Sequence, residues 1–161
     1  MKKTEVHKIL SVAKESDFEV WRVIGFAVWS GCRRSEVLNL RWEHISGKTI
    51  RIIGKGDKER IILPNHHIWE YLGERKNIGP VFLRIHKDGY SKRFKTIARK
   101  AGVGHAKFHS LRHSAASFMI ASGIQPKAVQ KILGHVDFRT TELYVEMENE
   151  FVAAEMEKMT I

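Results

Sequence analysis

Arg112 follows His109 by three residues in the stretch FHSLRHSAASFMIASG, 108–123, and a second histidine, His113, comes directly after it. On a helix, positions three apart share a face. A guanidinium presents a planar fork of donors that matches two phosphate oxygens. The free N–H groups and dipole at the start of a helix favour the same anion. Two other chemistries compete for these histidines. His105, His109 and His113 are spaced by four, as zinc ligands on a helix can be. Against metal stand Gly102 and Gly104, which disfavour helix before His105, the lack of an HExxH pattern, and the charge of Arg112 beside any ion. The third reading is structural, with histidines closing the start of a core helix. The phosphate reading has partners elsewhere: Arg33 in SGCRRSE, Lys55 in IGKGDKER, His135 in LGH and Tyr144 in TTELY.

Regular elements must carry these residues to one place. Thr4 to Ala13 has Val6, Ile9, Leu10 and Ala13 at helical spacing. FEVWRVIGFAVWSG, 18–31, is apolar almost all round and predicts a central buried helix. RRSEVLNLRW reads as a short helix with Val37, Leu38 and Leu40 inward. The period then changes: Thr49–Ile53 and Arg60–Leu63 predict two strands joined by a Gly-Lys-Gly-Asp-Lys turn, with Pro64 ending the second. Residues 66–76 and 90–101 read as helices joined by a loop around Gly79-Pro80. A helix from about 109 puts Leu111, Ala115, Phe118 and Ser122 on one face. QPKAVQKILG follows, with Pro126 in the first helical turn and Gly134 as a cap, so that His135 lies just beyond the stop. Residues 138–146 and 148–158 read as short helices. The expected fold is mainly α with a small antiparallel β-hairpin or sheet (α+β), in a single domain spanning 1–161.

The chain has 161 residues and a net charge of +10, which points to a polyanionic partner, nucleic acid being the commonest. Residues 145–161 hold five glutamates and one lysine, a net of −4, leaving +14 on residues 1–144. This acidic segment reads as a solvated amphipathic helix or as a partner for the basic body. No apolar run approaches the roughly 20 residues that span a bilayer, and MKKTEVHKIL has no apolar stretch behind its basic start. The expectation is a soluble cytoplasmic protein, with no membrane partner. Cys32 is the single cysteine. It forms no internal disulfide; beside Arg33 and Arg34 it could be reactive, and the plainer reading is a small buried hydrophobe.

The partner segments carry a more specific signal. SGCRRSEVLNLRW resembles the first arginine box of the tyrosine recombinase, or phage integrase, family, with its Xer-like members. IGKGDKERIILP resembles that family's β-hairpin with its active lysine, FHSLRHSAAS its His-x-x-Arg box, and LGHVDFRTTELY its final box, with histidine and tyrosine nine positions apart. Order and intervals agree over residues 30–144. The resemblance implies the catalytic-domain fold of that family and a DNA strand-cutting and rejoining enzyme. Arg33 and Arg112 would hold the non-bridging oxygens of the scissile phosphate, Lys55 would protonate the leaving 5′-oxygen, and His109 would help deprotonate the nucleophile. His135 would donate a hydrogen bond to the phosphate, and Tyr144 would attack to leave a 3′-phosphotyrosyl link. Glu36 would orient its neighbours from behind. Register selects Arg33 over Arg34, which stands where the family has an apolar or varied residue. His113 is left to a structural role.

Physical chemistry supports that set. Attack on a phosphodiester gathers negative charge, and preorganised donors stabilise it. A phenol with pKa near 10 needs a base or a cationic field at pH 7. Protein cations then do the work of a metal, so neither metal, other cofactor nor ATP is expected. Lys58, Arg60, Lys92, Arg93, Lys95, Arg99 and Lys100 are expected contacts to backbone phosphates. Trp21, Trp29, Trp42 and Trp69 read as core more readily than as base-stacking platforms. Double-stranded DNA is the expected partner, with self-association on it as a tetrameric synapse. The N-terminal DNA-clamping domain of the family is absent from 1–161. In relatives a C-terminal segment can dock on a neighbouring subunit, and Phe151, Val152 and Met156 offer an apolar face for that or for packing in cis. The alternatives are a type IB topoisomerase and a non-enzymatic DNA-binding module or regulator.

Overall fold

The computed structural model describes residues 1–82, 87–134 and 155–161. Its centre is α2 (Phe18–Ser30), in which every residue from Val20 to Ser30 except Arg22 is buried. The Asp17 side chain accepts the Val20 N–H at 3.1 Å and starts the helix. Around α2 pack α1 (Lys3–Ser16), which buries Val6, Ile9 and Ala13, then α3 (Arg34–Leu38), α4 (Trp69–Leu72), α5 (Lys87–Lys100) and α6 (Phe108–Ala121). The last helix, α7 (Pro126–Leu133), lies against α6.

The small sheet has three antiparallel strands in the order β1 (Ile45–Ser46), β2 (Thr49–Ile53), β3 (Glu59–Ile62). Ile50 faces Ile62 and Ile52 faces Arg60 across β2 and β3. Alternation sends Ile50 and Ile52 into the core and leaves Arg51 in water. The hairpin was legible from its two β-rich runs. The two-residue β1 was not, because a strand that short carries no period. The turn between β2 and β3 contains a single 3-10 turn, Lys55–Asp57, with both Gly56 and Asp57 at positive φ.

Several expected boundaries move. The helix expected over 66–76 is one 3-10 turn, His66–Ile68, followed by α4, and stops at Gly73 with φ 75°. Leu38 is half-buried and packs against the core, and Ser122 caps α6 instead of extending its buried face. Trp21, Trp29 and Trp42 lie in the core, with Trp69 packed against it. Cys32 is buried, and burial pushes its thiol up, which removes the reactive reading.

The helices expected over 138–146 and 148–158 fall mostly outside the described residues. The terminal piece, 155–161, packs on its own domain. Asn65 Nδ2 donates to the Met156 carbonyl at 3.0 Å, Glu155 Oε2 accepts the Gln125 N–H at 3.1 Å, and Met156 and Met159 are buried.

Candidate active site

Box by box, the chain converges on one guanidinium. Arg112 sits in the second turn of α6, and its side chain runs inward. Nη1 donates to the Gly31 carbonyl at 2.8 Å and Nη2 to the Leu133 carbonyl at 2.6 Å. Arg112 therefore joins the end of α2, where the first arginine box starts, to the end of α7, where the final box starts. Two glycines permit this junction. Gly31 has φ 65°, and a Cβ there would come 2.4 Å from Leu133 Cδ2. Gly134 has φ 69°, and a Cβ there would come 2.9 Å from Arg60 Cδ. Neither position accepts a side chain without displacing a neighbour.

Beside Arg112 lies a second cluster, built on Glu36. Its carboxylate accepts the Arg33 N–H at 2.7 Å, closing the start of α3, and Arg33 Nη1 at 3.0 Å. From the sheet, Arg60 grips the same carboxylate with both arms, at 2.9 and 3.0 Å. Arg60 Nε also reaches the Ile132 carbonyl at 3.3 Å, and Nη2 lies 3.5 Å from Cys32 Sγ. A Cβ on Gly54, the residue before Lys55, would be 3.4 Å from Glu36 Oε1. The β-hairpin thus approaches the same carboxylate.

Electrostatics follow from this packing. Burial alone would push the Glu36 carboxyl up. The Arg60 fork and the bonds from Arg33 outweigh it and hold the group down at about 2. Burial and the Arg33 charge push the Arg112 guanidinium down to about 10, against the pull of Glu36. Burial contributes most to that shift, with the Arg33 charge second. His109 is exposed, its ring 4.7 Å from and perpendicular to that of His113. Partial burial, then His113, Arg112 and Arg33, push the His109 imidazole below its ordinary value, which favours its neutral form. Among the described residues no group of three or more His, Cys, Asp or Glu could hold a metal ion. His105 precedes α6, so the three spaced histidines do not line one helical face.

The expected site residues are placed as follows. Arg33, Glu36, His109 and Arg112 come together. The Lys55 backbone lies in the β2–β3 turn; its side chain, His135 and Tyr144 lie outside the described residues. Lys58, Lys92 and Lys95 are exposed. Arg60 requires a correction. Its side chain is only 8% exposed and is committed to Glu36, so it braces the site from within and does not offer a surface contact to backbone phosphates. Arg93 is bound to Asp17 through Nε at 2.6 Å, which fastens α5 to the start of α2. The role of Arg60 was not visible in the sequence. Its one trace is a charged residue placed opposite buried Ile52.

The phage integrase family model matches residues 1–150. The chain belongs to the phage integrase family. Among curated relatives, the integrase-family chain is 34% identical to tyrosine recombinase XerC of Histophilus somni over 145 residues, covering 80% of this chain and 49% of that one. It is 32% identical to tyrosine recombinase XerD of Lacticaseibacillus casei, covering 96% of this chain and 57% of that one. The chain spans about half the length of the curated relatives it matches. Among solved structures, the integrase from mycobacterium phage Brujita superposes with a TM-score of 0.82 at 21% identity, over 97% of this chain and 56% of that one. A XerH site-specific recombinase bound to its difH substrate superposes with a TM-score of 0.65 at 24% identity, over 92% of this chain and 52% of that one. These likenesses establish the integrase catalytic-domain fold, mostly helical with a small antiparallel sheet.

Proposed function

We propose that this integrase-family domain cuts and rejoins DNA strands through a covalent tyrosine intermediate, as a site-specific recombinase. The observation that carries the reading is the junction at Arg112. One buried guanidinium binds carbonyls of two distant boxes, with the Arg33 charge acting on it and its own charge acting on His109.

In the proposed reaction Arg33 and Arg112 hold the two non-bridging oxygens of a phosphodiester. Tyr144 Oη attacks phosphorus and gives its proton to His109, whose lowered pKa favours the neutral form that accepts it. The 5′-oxygen leaves with a proton from Lys55, and His135 donates to a phosphate oxygen. One P–O bond forms and one breaks, so the bond energy is kept in the 3′-phosphotyrosine and returned when a 5′-hydroxyl attacks. Charge that develops on phosphorus meets fixed cations, and Glu36 with Arg60 holds Arg33 in place from behind. No step calls for a metal ion or ATP. Double-stranded DNA is the substrate, and strand exchange between two sites brings several copies together on it. Among the described residues no helix is long and apolar enough to cross a membrane, and the site of action proposed is the nucleoid.

The test uses the 161-residue chain and a library of nicked duplexes of randomised sequence, in EDTA and without nucleotide. Wild type should yield a protein–DNA adduct that survives a denaturing gel, and Tyr144→Phe should bind the library without forming it. An adduct persisting in Tyr144→Phe removes Tyr144 from the role. Salt-sensitive binding with no wild-type adduct favours the non-enzymatic module, and relaxation of supercoiled plasmid without strand exchange favours the topoisomerase.

A further inference from the structure

Next to the reacting pocket lies an open cleft between α3, α5 and the start of α6. Arg34, Ser91, Lys95, His105, Lys107 and His109 line it. Its floor is apolar: Phe94 and Phe108 meet edge to face, with ring centres 5.6 Å apart, and both are buried. The sides are basic. Arg34 leaves α3 in a different direction from its neighbour. Arg33 turns to Glu36, whereas Arg34 Nη1 donates to Ser91 Oγ on α5. Lys95 stands one turn further along α5, and Lys107 immediately precedes α6. His105, from the loop before α6, also meets Glu5 Oε1 at 3.4 Å.

The cleft has two features that set it apart from scattered surface charge. His109 lines the cleft and also feels the charges of Arg112 and Arg33, so the cleft borders the arginine cluster. Consecutive Cα atoms are about 3.8 Å apart, and Arg33 and Arg34 diverge from adjacent positions, so their guanidiniums serve neighbouring anion sites and not the same one.

We propose that this cleft is a second phosphate subsite, in which Arg34, Lys95 and Lys107 hold a DNA backbone phosphate beside the one that reacts, with Ser91 fixing the Arg34 fork. Arg34 is then a positioning residue, which sets where the strand lies over the nucleophile. The inference rests on the recombinase reading for its ligand, DNA, and not for its geometry.

The experiment measures binding of the 161-residue chain to a random-sequence duplex between 50 and 200 mM salt, with adduct formation on the nicked library read in parallel. A single phosphate contact contributes about 0.9 to the slope of log K against log salt. Arg34→Gln and Lys107→Gln should each lower that slope by about one unit, and the adduct yield lost at limiting DNA should return when DNA is raised. Lys48→Gln, an equal charge loss at an exposed position in the β1–β2 turn, should leave the slope in place. Unchanged slopes in Arg34→Gln and Lys107→Gln overturn the proposal, and so does an equal drop in Lys48→Gln. Should Arg34→Gln fail to fold by circular dichroism, Lys107→Gln decides alone. A slope that falls in a protein making no adduct keeps the cleft and removes the recombinase reading. An adduct with unchanged slopes does the reverse.

Discussion

Glu36 is the residue on which the cluster depends. It is 3% exposed and shared by two guanidiniums, and removing it leaves the Arg60 charge buried without its counter-ion. Breaking such a pair costs about 3–5 kcal/mol. Its carboxyl lies near 2 in the fold and near 4.5 as an ordinary glutamate. A group with a depressed folded pKa stabilises fully above the unfolded value and loses that contribution as pH falls through the folded one. The difference between 4.5 and 2 corresponds to about 3 kcal/mol. Urea unfolding should therefore show Glu36→Gln weaker by about 3 kcal/mol at pH 7, with the gap narrowing from pH 4.5 to pH 2. A gap independent of pH would place the effect in packing and not in charge. His109 yields a second expectation at this scale. With its pKa lowered, the acid-side loss of adduct formation should lie at lower pH than for an ordinary imidazole. His109→Asn should lack this acid limb.

Among elements, the decisive contact is between the end of α2 and the end of α7. Gly31→Ala combines a left-handed backbone, costing roughly 1–2 kcal/mol, with the close approach of Leu133. Thermal melting should show a loss of several degrees. The added Leu133→Ala should cost less in the Gly31→Ala background than alone, because it removes the atom that collides. Additive losses would mean that Leu133 moves aside freely. Elements of this kind were readable in the sequence to differing degrees. Helix α2, the hairpin strands and α7 announced themselves through period and caps, and the four boxes through residue type and interval. Pairing of Glu36 with Arg60 was not readable, because it joins a helix to a strand 24 residues away, and no local pattern encodes the crossing. Nor was the inward course of Arg112: spacing put it on a face with His109, whereas the carbonyls of Gly31 and Leu133 draw it into the core.

At the scale of the molecule, a basic body of +14 stands beside an acidic segment of −4. The described end of that segment is held by Asn65, Gln125 and the core contacts of Met156 and Met159. Burying a methionine contributes about 1.5–3 kcal/mol. Deleting residues 155–161 should lower unfolding free energy by about 3–6 kcal/mol, measured by denaturant titration. A negligible loss would mean that these residues only rest on the body. Their removal also takes away two glutamates and a lysine, too little to alter the salt dependence of DNA binding by a full unit.

The tether on Arg112 has a last consequence. A guanidinium held by one carbonyl at each side cannot swing to follow an ion that arrives off-centre. Its aim is fixed when the chain folds, and a strand seated an ångström out of place forfeits rate that no side-chain motion recovers. The scaffold itself, before any base is read, would act as a ruler that rejects backbones of the wrong shape.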